Sequence, residues 1–377
     1  MPRWSESLGS TLRSNLDPES KLRLSLAIDF IGFLSNLFPI VGDAADLFWA
    51  PVAGTLIFWL YGSVRIAGFG FFEELLPFTD VVPTATLAWL AENNYFNTLS
   101  RYRQIFRDIL LYGLYSLVTR PFRWRPRQAA TRPLPLYRDP FASDALISVV
   151  IAAYNEGESI ASSIASILQE NHVEVIVADG GSTDGTRTAA KAAGARVLDE
   201  TIRGGRAACL NAGAAKASGE ILLFLHADTS LPPGFGAYVR HSLSKPNVAL
   251  AAFTLSLSPH LPGISLVEWG ANRRARRRGL PYGDQALCLS TSVFFDVLGK
   301  FPVQPLLEDV DLVCKARELG EVVILKPSVV SSSRRWQKYG VLGNTLHNQL
   351  VLLGREVGVP VESMAKWYYG DSGVKEY

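Results

Sequence analysis

The sequence predicts an α/β protein, with a Rossmann-like, mostly parallel sheet over residues 146–340 preceded by a helical, membrane-associated region over 1–119. Three observations predict it. From Ala145 onward, short apolar runs alternate with helical stretches; before Thr119 the chain consists largely of long uncharged, aromatic-rich runs; and between the two, residues 120–145 are crowded with Arg and Pro. The last segment, 341–377, reads as a helical extension. At 377 residues the chain exceeds the usual single domain, so two regions are the expectation.

In the first region, Leu47 to Val64 runs eighteen residues without a charge, about 27 Å as a helix against a hydrocarbon core of about 30 Å. That predicts a marginal transmembrane helix, interrupted by Pro51 and Gly54. Shorter uncharged runs flank it at Phe30–Gly42, Val81–Ala91 and Ile109–Thr119, lengths that suit re-entrant or interfacial segments. Phe48, Trp49, Phe58, Trp59 and Tyr61 crowd the run as residues at a lipid interface do, and Arg65 is the single charge between Leu47 and Phe72. The alternative is a small helical domain with a very apolar core. The opening MPRWSESLGSTLRSNLDPESKLR has no apolar stretch of the kind a secretory signal needs.

Charge changes at the boundary. Residues 1–119 hold eight Lys/Arg against eleven Asp/Glu, whereas 120–138 hold six Arg and no acid. Pro121, Pro126, Pro133, Pro135 and Pro140 make this stretch a stiff linker. By the positive-inside rule its arginines place the following domain on the cytoplasmic face, or on the stromal face if the membrane is a plastid's. The net charge of +2 argues against broad nucleic-acid binding. Cys209, Cys288 and Cys314 are widely spaced, which disfavours a zinc site or disulfide framework and leaves packing as their role.

From residue 147 the elements follow in order. ISVVIAA (147–153) predicts a strand and Glu158–Gln169 a helix; VEVIVAD (173–179) a second strand and Thr186–Ala193 its helix; ARVLD and ILLFLHAD (221–228) continue the series. In such sheets ligands bind beyond the carboxyl ends of the strands. Each polar motif falls at such an end. The first strand runs into Tyr154-Asn155-Glu156 and the second into Asp179-Gly180-Gly181-Ser182-Thr183-Asp184-Gly185-Thr186. A carboxylate, then glycines that let backbone approach a ligand, then a helix start, is what nucleotide recognition requires, with Asp179 able to accept the ring N–H of a uracil or guanine. A plain Asx-type turn explains the same segment.

Gly204-Gly205-Arg206 leads into a helix of small residues, and Arg206 there is placed to meet a diphosphate. His226-Ala227-Asp228 closes the next strand. Asp228 can hold Mg²⁺ or Mn²⁺ against the diphosphate, and His226 is either a core histidine or a second ligand. A third cluster, Tyr282-Gly283-Asp284-Gln285 and then Leu307-Glu308-Asp309, supplies carboxylates for the base that an acceptor hydroxyl needs. Glu308 and Asp309 are neighbours at a helix start, so they point apart and have different roles.

The order AAYNEGES, VADGGSTDGT, GGRAACLNAGAAKASGE, LHADT, G-D-Q, L-E-D resembles family 2 glycosyltransferases, over about half the chain. The likeness is closest to a bacterial-type subgroup of unknown acceptor. It implies an inverting enzyme of GT-A fold whose partners are a nucleoside-diphosphate sugar, a hydroxyl acceptor that a lipid carries in one reading, a divalent cation and a membrane. It further implies that Tyr154, Glu156 and Asp179 bind the nucleoside, that Asp228 takes the metal and ribose-diphosphate region, and that Asp309 is the base. Asp284, Gln285 and Glu308 then fall on the acceptor and diphosphate side. So do Arg335 and Trp336, whose R-W is similar to the end of the Q-x-x-R-W motif of processive synthases; Ser332 stands where their Gln would be. The family's D-x-D begins here with His226. The N-terminal half resembles small membrane proteins of plants and algae through IDFIGFLSNLFPIVGDAADLFWAP. Arg273, Arg274, Arg276, Arg277 and Arg278 read as a solvated helix face or as a holder of lipid phosphate. Two other readings stay open, a nucleotidyltransferase on a similar sheet and a membrane scaffold that has lost activity.

Overall fold

The alternation of apolar runs becomes an eight-stranded sheet in a computed structural model. It describes residues 140–373 continuously and, before them, 17–35, 42–63 and a few short stretches up to 112. The Arg/Pro run 120–139 lies outside the described residues, as does most of the Val81–Ala91 and Ile109–Thr119 runs. The chain divides into two compact units, Met1–Pro121 with Leu346–Val359, and Phe122–Thr345 with Pro360–Tyr377.

In the first unit, α1 (Pro18–Ser35) starts on Asp17, whose Oδ1 accepts the Ser20 N–H at 2.9 Å. Asp at the cap and Pro at the first helical position is a favoured start, since proline has no N–H to leave unpaired there. Helix α2 (Gly42–Tyr61) carries Pro51 within it and stops at Gly62, whose φ of 65° suits glycine at a helix end. Ile28, Ala53, Ile57, Leu60, Ala67 and Ala85 form the core. Among them the Tyr61 hydroxyl meets Ser25 Oγ and donates to the Ala85 carbonyl at 3.1 Å. The span predicted over Leu47–Val64 is corrected here: the helix ends three residues early, and no described helix is long and apolar enough to cross a membrane.

The second unit is built on strands β1 (Ile147–Ala153), β2 (Val173–Asp179), β3 (Arg196–Val197), β4 (Ile221–His226), β5 (Thr229–Ser230), β6 (Val248–Ser258), β7 (Leu287–Ser290) and β8 (Glu321–Ser332), in the order β3-β2-β1-β4-β7-β6-β8-β5. The sheet is mixed and mostly parallel; β7 runs against β4 and β6, and β5 against β8. Between the strands come helices α3 (Ile160–Ile167), α4 (Thr186–Ala192), α5 (Gly205–Ala214), α6 (Phe235–Leu243), α7 (Ile264–Arg278) and α8 (Glu308–Leu319). After β8 follow α9 (Arg334–Tyr339), α10 (Val341–Val357) and α11 (Val361–Gly373).

The strands read as unbroken apolar runs because both faces of the sheet are buried. Successive residues divide between two cores: Val149, Ile151, Leu223 and Phe253 belong to one, Val150, Leu222, Phe224 and Ala252 to the other. In the second core Phe224 packs its ring 4.9 Å from Phe294 and 4.8 Å from Phe301. Helix α5 approaches closely because Gly213 faces Val150, where an added Cβ would stand 2.4 Å from Cγ1.

Register decides where the chemistry lies. Ala153 pairs with Asp179 and Ala152 with His226, so β1, β2 and β4 end side by side. Leu287, at the start of the reversed β7, pairs with Phe224, which brings the turn Gly283–Gln285 to the same edge.

Candidate active site

The first two loops are stitched together by side-chain to backbone hydrogen bonds. Asn155, in a left-handed conformation at φ 52°, donates its N–H to Ser182 Oγ at 2.9 Å and accepts the Thr183 N–H on Oδ1 at 2.9 Å. Glu156 N–H donates to Thr186 Oγ1 at 2.8 Å and Gly157 N–H to Asp184 Oδ2 at 3.0 Å. Tyr154 lies against Gly180, whose Cβ position is 3.7 Å from the ring.

Asp179 makes the Asx-type turn and still leaves one carboxylate oxygen unpartnered. It is fully buried, and Oδ1 closes an Asx turn on the N–H groups of Gly181 and Ser182 at 3.0 and 2.9 Å. Its Oδ2 is buried with no hydrogen-bond partner. A buried carboxylate oxygen left unpaired is costly, and a ligand N–H would satisfy it.

Gly204 and Gly205, at φ 110° and 83°, form a left-handed pair that side chains resist, and they set Arg206 at the start of α5. There the guanidinium is divided three ways: Nε to Glu308 Oε1 at 2.5 Å, Nη1 to His226 Nε2 at 2.9 Å, and Nη2 3.8 Å from Asp309 Oδ1. Burial works against its charge, but Glu308 and Asp309 outweigh burial and raise its pKa. Arg206 thus spends two of its five N–H donors inside the protein, on Glu308 and His226.

Burial first, and then Arg206, pull His226 down to about 4, so it stands neutral at pH 7 and accepts from the guanidinium. In this arrangement His226 Nε2 is occupied by the Arg206 guanidinium. Among the described residues no group of three or more His, Cys, Asp or Glu is arranged to hold a metal. Asp228, just after β4, is a hard oxygen donor.

Asp309 opens α8 with both oxygens oriented, Oδ2 by the Gly283 N–H at 2.6 Å and Oδ1 by its neighbour's Val310 N–H at 2.9 Å. Glu308 is 2% exposed and turned to Arg206, so the two adjacent acids have different hydrogen-bond partners. Asp284 is pushed up to about 6 by burial, against Arg274 and with Asp309. Gln285 is fully buried; its amide donates to the Phe253 carbonyl at 2.9 Å and accepts the Tyr282 N–H at 3.4 Å, so it braces the turn. Trp336 likewise packs on the core.

Two groups were not foreseen. Arg334 donates from Nη2 to both oxygens of Glu156 at 2.7 Å and to Asp228 Oδ2 at 3.1 Å. It precedes the R-W pair that the motif had singled out. Arg335 instead stacks its Cζ 3.8 Å from the Tyr368 ring centre, and the Tyr368 hydroxyl interacts with Arg206, Asp309 and Asp284. Burial raises that hydroxyl's pKa. Tyr368 sits on α11, in the extension to which the sequence assigned no chemistry. The cysteines behave as packing residues: Cys209 and Cys288 are buried, and burial with Asp179 nearby pushes Cys209 up to about 11.

The carboxyl ends of β1, β2 and β4 and the loop stitching fall within one recognisable segment. Residues 148–255 match Glycosyl transferase family 2. The matched segment covers the loops of Glu156, Asp179, Arg206 and Asp228 but not Asp284 or Asp309. Among curated proteins, glycosyltransferase AglJ of Haloferax volcanii is 43% identical over 58 residues, 15% of this chain and 19% of the relative. An uncharacterized transmembrane protein of Dictyostelium discoideum is 39% identical over 84 residues, 22% of this chain and 41% of the relative. The chain thus spans less than half the length of either. Among solved structures, the mannosyltransferase PcManGT of Pyrobaculum calidifontis in complex with GDP-Man and Mn²⁺ is 18% identical with a TM-score of 0.43, covering 74% of this chain and 83% of that one.

Proposed function

We propose that the family 2 domain transfers a sugar, with inversion, from a nucleoside-diphosphate sugar to a hydroxyl acceptor. The observation that carries the proposal is the setting of Asp309. Two backbone N–H groups fix its carboxylate, and Arg206 lies 3.8 Å away, at the edge where β1, β2 and β4 end. In this reading Asp309 takes the acceptor proton, and Tyr154 and the unpaired Oδ2 of Asp179 receive the base. Asp228 holds a divalent cation, Mn²⁺ or Mg²⁺, which when bound supplies positive charge to the departing diphosphate. Arg206 and Arg335 add fixed charge around that diphosphate, and Asp284 and Tyr368 line the acceptor side.

A lipid-linked acceptor and a membrane location belong to the same proposal. Their support is α7, where Leu266 and Trp269 are 66% and 45% exposed and Arg273 sits 5.4 Å over the Trp269 ring, ahead of Arg276 and Arg277. The domain would face the cytoplasm or a plastid stroma. Protease added outside sealed vesicles tests this, because digestion of the domain reverses the orientation.

The activity is tested by nucleoside diphosphate release from UDP-, GDP- and dTDP-sugars with Mn²⁺ or Mg²⁺, wild type beside Asp309→Asn. The expected result is release with one donor class and a loss of about 10²–10⁴-fold in the variant while nucleotide still binds. Nucleotide binding without release, lipid extract included, favours the inactive scaffold.

A further inference from the structure

Glu156 follows β1, Asp228 follows β4 and Arg334 opens α9, and they converge on a single nitrogen. Arg334 Nη2 lies 2.7 Å from each oxygen of Glu156 and 3.1 Å from Asp228 Oδ2. That nitrogen carries two protons, so three carboxylate oxygens share two donors. The arrangement is held by charge more than by hydrogen-bond geometry: two carboxylates meet, and one guanidinium stands between them.

Arg334 differs from Arg206 in its freedom. Arg206 is tied to Glu308, His226 and Asp309, whereas the Arg334 side chain is 48% exposed. Its backbone is nevertheless anchored. The preceding Ser333 donates its N–H to the Ser258 carbonyl at 2.8 Å and its hydroxyl to the Pro259 carbonyl at 2.6 Å. A pinned backbone with a long, half-exposed side chain leaves the guanidinium room to turn about a fixed point.

We infer that Arg334 is a donor-binding residue with two positions: it neutralises Glu156 and Asp228 while the site is empty, and moves onto the diphosphate when a divalent cation arrives with the nucleotide. This rests on the reading of Asp228 as the cation's ligand. A divalent ion brings more charge to Asp228 than a guanidinium does, and the phosphate oxygens offer the planar fork of arginine a bidentate partner.

The test measures binding on the full chain. Mn²⁺ affinity without nucleotide is read by electron paramagnetic resonance, and UDP, GDP and dTDP affinity at saturating Mn²⁺ by calorimetry, for wild type, Arg334→Ala and Arg334→Lys. In Arg334→Ala the Mn²⁺ affinity is expected to rise about tenfold while nucleotide affinity falls about tenfold, with Lys smaller in both. Opposite signs are the signature, since a merely damaged site weakens both. Mn²⁺ affinity that stays level or drops, or nucleotide affinity that does not change, overturns the inference while leaving the transferase reading standing. Wild type that binds none of UDP, GDP and dTDP overturns both.

Discussion

Arg206 and Glu308, 102 residues apart in the chain, meet Nε to Oε1 at 2.5 Å and lock the start of α5 to the start of α8. Removing the arginine leaves Glu308, 2% exposed, without its counter-charge. Arg206→Ala should therefore cost about 3 kcal/mol in urea unfolding, and Arg206→Ala with Glu308→Ala should recover at least about 1 kcal/mol of it. Simple additivity of the two single losses would sink the assignment of this pair as a buried, coupled unit.

Asp284 makes stability depend on pH. Burial raises its carboxyl from 3.8 to about 6, so the folded state favours the protonated form. Its contribution is fully present below about pH 4 and is lost as pH rises through about 6, a span of at most about 3 kcal/mol. Asp284→Asn cannot ionise. Its stability relative to wild type should rise between pH 4 and pH 7, and denaturation at the two values measures the difference.

Gly283 leaves no room for a side chain. An added Cβ would lie 3.0 Å from Asp309 Oδ2 and 3.0 Å from His226 Nε2, so Gly283→Ala should displace the proposed base. Turnover is expected to fall by up to about 10²-fold, as a misplacement of about 1 Å allows, with the melting temperature little changed. Full activity in the alanine variant would show that Asp309 needs no such placement.

Gly213 tests packing far from any chemistry. With a Cβ 2.4 Å from Val150 Cγ1, Gly213→Ala should destabilise by about 1–3 kcal/mol. Adding Val150→Ala should return part of that by opening the space. Chemical denaturation of the two variants decides it, and no rescue would mean that the clash is absorbed elsewhere.

The strand ends were legible because a buried parallel strand leaves two plain marks, an unbroken apolar run and a polar residue where it stops. ISVVIAA and VEVIVAD fall on β1 and β2 residue for residue. Asp179 and Asp228 could be found in this way. Arg334 could not, because its partners are 178 and 106 residues distant and only the sheet order brings them together. Motif spacing drew attention to Arg335 and Trp336, one of which stacks on Tyr368 and the other on the core. The turn-bracing hydrogen bonds of Gln285 were equally hidden, because a polar residue in a motif looks the same in sequence whatever it bonds to. The apolar run at Leu47–Val64 showed its helix but not its end, which Gly62 sets.

The reversed direction of β7 bears on ancestry. Since it runs against β4, the turn before it, not the one after, reaches the reacting edge. The connection 259–282 therefore lies upstream of that turn and is tied to β6 through Asn272 and Glu268, apart from the register of β1, β2 and β4. Under the proposed transfer, a lineage built this way changes its acceptor side through this connection and leaves its donor side as inherited.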